Sequence, residues 1–564
     1  MVEQLPCLPP MQGLQTEIAE HDDFEGEVAR YVADLPPAYS GHVIVQSGLP
    51  ARILPLALYV DGVQYATRGS IVGFWLVNMV TQRRHLMVNI RKGQLCRCGC
   101  RGWCTLYPIF VFMHWCVKSL AQGQHPLVQC TGRPFVAKEV ALKRNAGQPC
   151  PRGAIIYLKA DLAEFGATLG FPSTAQSFSP CCFCDARRDS LVDLESWDVI
   201  THPFRVKTWD DYVADCDRCE QYREITQAQH FAVRKLLVWN KKKGGIRGLS
   251  LVADYPPLLL KKGDRLEPWS GCTDVASFAR IAASQFPTRV LFWRASLEGM
   301  AHHRNPLYDP ALGLTPSETS ALDWLHTLSL GCFQTYCSFA LDCLFKADSW
   351  GSKETTQAVC LERNINSFAV DVVSWVKEQN KAGRTLTEPA IKTELFGKPS
   401  KPQFKFKGGE TNAILEFIVR QLGPRFARLP PGTDPASPRG QTLIDGGRAL
   451  LDMLTIIRSC PKGCTAAQTQ SFYRSAKTYL RMLMVLKIKF KPKDHMLLEM
   501  STRVPFQGSP SLYGCWQDES LNRLLRDVAE GAHGAVHARR VLIEFPRAHD
   551  NVRLAQQAKR RRTD

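Results

Sequence analysis

Three strand-length apolar segments follow one another closely, and a fourth comes after a single helix-spaced stretch; this order constrains the fold more than any other feature of the chain. Arg52 to Val60 ends in Asp61-Gly62, Ile71 to Val80 and His85 to Ile90 follow, and between Tyr107 and Leu120 the apolar residues recur at helical spacing. The fourth run, Ala154 to Ala160, stops at Asp161. The pattern is β-β-β-α-β and predicts an α/β fold in which side chains at the ends of neighbouring strands meet at one rim of a sheet. An Asp after a strand also serves as a turn or helix cap, so neither Asp61 nor Asp161 defines a site by itself.

At 564 residues the chain exceeds what one hydrophobic core usually supports, which predicts two to four domains. Its 71 Lys+Arg against 53 Asp+Glu give a net charge of +18. That balance favours a polyanionic partner such as DNA, although basic enzymes that never touch DNA share it. No uninterrupted apolar stretch of about 18 residues occurs and the N-terminus has no basic-then-apolar leader, so the expectation is an intracellular protein with no membrane partner. The 21 cysteines are then expected to be reduced, and clustered ones to be metal ligands rather than disulfides. Lys559, Arg560, Arg561 and Arg562 read as a signal for the nucleus or as a solvated basic tail. No phosphate-binding or dinucleotide glycine motif and no Ser/His/Asp or Cys/His nucleophilic set can be assembled, which argues against ATP, NAD and covalent catalysis.

Along the chain, residues 1–40 read as an acidic, partly ordered arm and 41–172 as the first part of a core. Residues 173–400 read as a large, mainly helical insertion, and Lys398 to Gly409 as a Pro/Lys/Gly linker. From Glu410 to Leu422 the apolar positions Ile414, Leu415, Phe417, Ile418 and Leu422 predict an amphipathic helix within 401–428. A Pro/Gly-rich break, a C-terminal helical region over 441–550 and the basic tail 551–564 complete the chain.

Two Cys-x-x-Cys pairs, Cys181/Cys184 and Cys216/Cys219, predict a tetrahedral Zn²⁺ site. The alternatives are chance clustering or a ligand set that borrows Cys182 or a nearby His. The denser run Cys96, Cys98, Cys100 and Cys104 is a second possible zinc set or a loop beside the first, and its Arg97 and Arg101 suit phosphate contact. Lys241, Lys242 and Lys243 offer a cationic ridge for a DNA backbone or form a solvated loop. Lys405 and Lys407 alternate with Phe just before Glu410 and read as DNA contacts or as a basic linker.

Asp61 in LYVDG, Asp161 in YLKADLAEFG and Glu410 in KFKGGETNAILEF resemble the catalytic triad of cut-and-paste DDE transposases. Asp323-Trp-Leu-His326 resembles the Cys/Asp-x-x-His signature that many eukaryotic superfamilies of this kind carry between the second Asp and the Glu, and a cysteine pair soon after the second Asp resembles the CACTA and Kyakuja-Dileera-Zisupton groups. The resemblance covers roughly residues 50 to 425 and implies a ribonuclease H-like core, a mixed five-stranded sheet with helices, interrupted by the zinc-containing insertion and followed by C-terminal helices. It implies Mg²⁺ or Mn²⁺ at Asp61, Asp161 and Glu410, with Asp323 and His326 in support, and metal-dependent cleavage and transfer of DNA strands, with DNA as partner and a homo-oligomer on DNA as the expected assembly. Glu354, Glu362, Glu388 and Glu416 compete for the place of Glu410. Only 60 residues precede Asp61, where such enzymes commonly carry a DNA-binding domain, so a truncated or domesticated copy is part of the expectation. The alternative function is a catalytically silent, transposon-derived, zinc-containing DNA-binding protein.

Overall fold

The computed structural model describes residues 9–96, 102–171, 181–217, 304–346, 357–423, 439–532 and most of 540–549, apart from isolated positions. The chain divides into two compact units. One comprises Met1–Glu164, Asp189–Phe204 and Pro306–Asp564; the other comprises Phe165–Arg188 and Arg205–Asn305.

The first unit is α/β, built on a five-stranded mixed sheet in the order β3-β2-β1-β4-β5. The strands are β1 (Leu54–Ala66), β2 (Gly69–Asn78), β3 (Arg84–Arg91), β4 (Gly153–Ala160) and β5 (Ser320–Leu322). β1 pairs antiparallel with β2 and parallel with β4. β2 pairs antiparallel with β3, and β4 parallel with β5. The first seven residues of β1 and all eight of β4 are buried, which is why both read as continuous apolar runs rather than as alternating ones.

The longer helices are α1 (Pro9–Ala19), α2 (Phe24–Val32), α3 (Trp103–Gln122), α4 (a π-helical stretch Leu325–Cys332 running into α-helix Phe333–Lys346), α5 (Gln357–Lys381), α6 (Gly408–Phe417), α7 (Arg439–Ser459), α8 (Ala466–Val485), α9 (Pro492–Gln507) and α10 (Trp516–Glu530). α3 lies between Gly102 and Gly123, whose φ angles of 84° and 69° suit glycine. It sets Phe110 against Phe74 of β2 with ring centroids 5.9 Å apart. α10 repeats Leu521, Leu525 and Ala529 along one stripe, and these join Tyr59, Trp75 and Tyr157 of the sheet in one core cluster. α3 and the 22 residues of α4 are long and apolar enough to cross a membrane by length and composition, yet more than half of each window is buried inside the protein, as in core helices.

Two elements differ from the sequence reading. The N-terminal arm is helical from Pro9 and buries Met11, Leu14, Phe24 and Val28. Its Glu17 is also buried, 2.9 Å from His85 Nε2, and accepts from Asn78 and from the Thr81 hydroxyl, so an acidic residue here satisfies the polar groups of the β2–β3 corner. The second difference is β5. With Asp323 behind it, β5 belongs to the sheet although it falls inside the stretch read as an insertion, because three residues are too few to show a strand period.

In the second unit, Phe171 packs against Phe183 and Tyr212 at 6.5 and 6.0 Å between ring centroids, and Asn305 N–H donates to the Tyr212 hydroxyl at 2.9 Å.

Candidate active site

The register of the three parallel strands carries the site. Val60 of β1 aligns with Ala160 of β4, and Ala160 with Leu322 of β5. Each of these three aligned residues is followed by an aspartate: Asp61, Asp161 and Asp323. Three carboxyl-bearing positions thus lie level with one another where the parallel pairing ends, just past β4 and β5 and beside β1, which runs on to Ala66 against β2; the carboxyl ends of parallel strands are where open α/β sheets place their ligands.

The fourth carboxylate comes from α10. Asn522 Nδ2 donates to Asp61 Oδ2 at 2.5 Å and to Glu519 Oε2 at 3.4 Å, so the two carboxylates flank one amide nitrogen. Tyr59 O–H donates to the same Asp61 oxygen at 2.7 Å, and the Gly62 amide to the other at 2.6 Å. Asp161 Oδ1 accepts from the Glu164 amide at 2.6 Å and so caps the turn after β4 as well as facing the cluster. Asp323 is fully occupied. Its Oδ1 accepts from the Leu325 and Cys515 amides at 3.0 and 2.8 Å, and its Oδ2 from the His326 amide, with His326 Nδ1 2.6 Å away. It is therefore a positioning residue that starts α4, tethers the approach to α10 and orients His326, whose Nε2 lies 3.7 Å from Glu519 Oε1.

Burial, and after it the crowding of negative charge, shows in the acidities. Burial first, then the charges of Glu519 and Asp161, push the Asp61 carboxyl up to about 7 against the pull of its hydrogen bonds. Glu519 is raised by burial and by Asp323 and Asp161, with His326 and Asn522 opposing. For His326 burial disfavours the charged form, but the Asp323 hydrogen bond and the charges of Asp323, Asp161 and Glu519 outweigh it and raise its pKa. Because folded Asp61 holds its proton in a pH range where the unfolded chain has released it, stability falls as pH rises from about 4 to about 7, and the full cost, on the order of 4 kcal/mol, applies above that. Asp61→Asn is accordingly expected to unfold at higher denaturant than the parent protein at pH 8, with the gap closing near pH 4. Equal midpoints at pH 8 in the absence of divalent ions would contradict this.

α10 is held in place by a buried ion cluster. Asp518 is 2.5 Å from Lys159 Nζ on β4 and accepts from Arg84 Nε on β3 at 2.8 Å, all three side chains being buried. Burial opposes the Asp518 charge, but the two cations outweigh it and lower its pKa. One residue further on, Glu519 is thereby aimed at the rim.

Glu410, which the sequence reading placed as the third metal carboxylate, is used elsewhere. It sits in the first turn of α6, where its oxygens accept from the Lys407 amide at 2.9 Å and the Ala390 amide at 3.3 Å. The carboxylate that the structure sets beside Asp61 is Glu519. Of the other contenders, Glu416 is buried among Arg384, Arg458 and Arg420, Glu388 pairs with Lys377, and Glu354 lies outside the described residues. Sequence reasoning missed Glu519, Asp518 and Lys159; the available signal was a carboxylate pair on a C-terminal helix whose apolar stripe fits a sheet.

In the second unit, Cys181, Cys184 and Cys216 are buried, and the two sulfurs of the first pair lie within 4.8 Å of each other. The Phe183 and Ala186 amides donate to them at 3.3 and 3.4 Å, a turn that suits thiolate ligands. Cys219, Cys98, Cys100 and Lys241 to Lys243 lie outside the described residues, while Cys96 is half-buried and Cys104 exposed at the start of α3. Lys405 and Lys407 are exposed and alternate with the buried Phe404 and Phe406. Lys405 also lines a cleft of about 510 Å³ with Lys491, Lys493 and Gln334. Compared with known proteins, the chain matches no family model, no curated protein and no solved structure.

Proposed function

We propose that the first unit is a ribonuclease H-like core that cleaves and transfers DNA strands in the manner of a DDE transposase, with Asp61, Asp161 and Glu519 as the metal-binding carboxylates. The observation that carries this reading is the alignment of three parallel strands with an aspartate at the same level on each, under a helix that adds a glutamate. Two-metal phosphodiester chemistry needs hard oxygen donors from separate segments, and this donor set fits Mg²⁺ or Mn²⁺: burial, and after it the neighbouring carboxylates, raise the Asp61 pKa, and a divalent cation would stabilise the charged form. When bound, the metal pair would supply activation of the attacking oxygen and stabilisation of the leaving one. The chain's own residues do the rest. Asn522 and Tyr59 fix the Asp61 carboxylate, and Asp323 orients His326.

DNA is the partner the charge supports best. Lys405 and Lys491 stand exposed along the cleft, with Lys493 half-buried beside them and Lys487 and Lys489 just before. Lys405→Glu with Lys491→Glu is expected to weaken DNA binding about equally across sequences and to lower the salt slope of log K by about one per lost phosphate contact. An unchanged slope in filter binding would remove the cleft from the proposal. Zinc is the cation that the Cys181/Cys184 turn suits, and assembly on DNA as a homo-oligomer and residence in the nucleus follow from the same reading.

The deciding experiment is nicking of supercoiled DNA with Mg²⁺ or Mn²⁺, parent protein against Asp161→Asn. Nicking by the parent alone is expected. DNA binding without nicking by either protein, or equal nicking by both, would instead leave a transposon-derived DNA-binding protein without catalysis.

A further inference from the structure

His495 and Glu499 lie one turn apart on α9, and the segment 189–204 brings His202 to them. That segment is fastened to α8 by Lys477 Nζ on the Asp193 carbonyl at 2.6 Å and by Gln470 Nε2 on the Trp197 carbonyl at 3.0 Å. His202 Nε2 is 3.0 Å and His495 Nε2 3.5 Å from the same oxygen, Glu499 Oε1, while Arg503 takes Glu499 Oε2 at 3.3 Å.

The ring orientations are set from behind. His495 Nδ1 is 2.6 Å from the Leu191 carbonyl oxygen and His202 Nδ1 is 2.7 Å from that of Phe204. A carbonyl oxygen only accepts, so each Nδ1 carries the proton. The Phe204 amide also approaches His202 Nδ1 at 3.1 Å, but the shorter carbonyl contact is repulsive without a proton between and fixes the tautomer. In a neutral ring the lone pair is then on Nε2, and two such lone pairs converge on a carboxylate oxygen.

That arrangement suits a cation. Two buried imidazolium ions beside Arg503 would set three positive charges against one carboxylate, whereas a metal ion uses the lone pairs of neutral rings and draws further ligands of its own. Histidines held by Nδ1–H to a backbone carbonyl with Nε2 turned inward are the usual posture of metal ligands. Bond lengths of about 2.0–2.2 Å to Zn²⁺ put neighbouring donors of a tetrahedron about 3.3–3.6 Å apart, close to the spacings seen. A 3.5 Å contact is long for a hydrogen bond.

We propose that His202, His495 and Glu499 hold a zinc-class divalent cation that staples the 189–204 segment to α9. Three donors leave at least one tetrahedral position for thiolate or water. The reading is independent of DNA cleavage.

The test uses the full chain equilibrated with zinc and then dialysed. X-ray absorption at the zinc edge is expected to show imidazole scattering, and the His202→Ala/His495→Ala variant to carry one zinc fewer per chain and to melt at a lower temperature. A folded variant with the parent's zinc content, or a parent spectrum of sulfur ligands only, would overturn the proposal. Where the variant does not fold, the parent spectrum decides alone.

Discussion

Glu519→Gln is expected to reduce metal-dependent nicking by on the order of 100-fold or more, whereas Glu410→Gln leaves it within a few-fold. The substitution keeps the shape of the side chain and its capacity to accept from Asn522, and removes only the charge that a second cation needs. Glu410 sits in a helix cap, where the neutral amide still accepts a hydrogen bond, so its loss costs stability of about 1 kcal/mol rather than catalysis. The measurement is the initial rate of supercoiled-DNA nicking at fixed Mg²⁺, with binding followed separately. If Glu410→Gln were the inactive variant and Glu519→Gln the active one, the carboxylate assignment would be reversed.

The second large effect is expected at Asp518. Asp518→Ala leaves Lys159 and Arg84 buried without their anion, and breaking a buried pair by removal of one partner costs about 3–5 kcal/mol. Denaturant unfolding of the parent and the variant reads this directly. Asp518→Asn, which keeps one of the two acceptor oxygens and loses the charge, should fall between the two. A loss below about 1 kcal/mol would mean that the cluster opens to water. Any activity lost by Asp518→Asn beyond its effect on stability reports how firmly α10 must be seated for Glu519 to reach the rim.

The parts legible in the sequence are those whose signal is local. Asp61 and Asp161 follow apolar runs that are buried from end to end, so both strands stand out, although β1 continues past Asp61 to Ala66. Asp323-x-x-His326 was legible as a motif, but its strand was not, because β5 owes its place to pairing with β4 across an interval that no local period spans. Glu519 was hidden for a related reason. Its helix is placed by Asp518 meeting Lys159 and Arg84, contacts between residues far apart in the chain, and nothing around Glu519 marks it except the stripe of Leu521, Leu525 and Ala529. Glu410 matches the last member of the resembled triad by its place at the start of a later amphipathic helix, which is also what makes it a good cap. The cysteine pair at 181 and 184 was visible by spacing; His202 and His495 were not, since only the return of 189–204 onto α8 and α9 brings them together.

The rim cluster draws on widely separated stretches: Asp61 and Asp161 near the start, Asp323 in the middle and Glu519 toward the end of the sequence. During synthesis the first four strands emerge and can pair long before α10 leaves the ribosome, and contacts of such sequence separation form late. A nascent chain therefore carries the sheet but not the completed set of carboxylates, and Arg84 and Lys159 wait without Asp518. The step that neutralises them is also the step that delivers Glu519, so the ability to cut DNA would arise only in a chain that has finished folding.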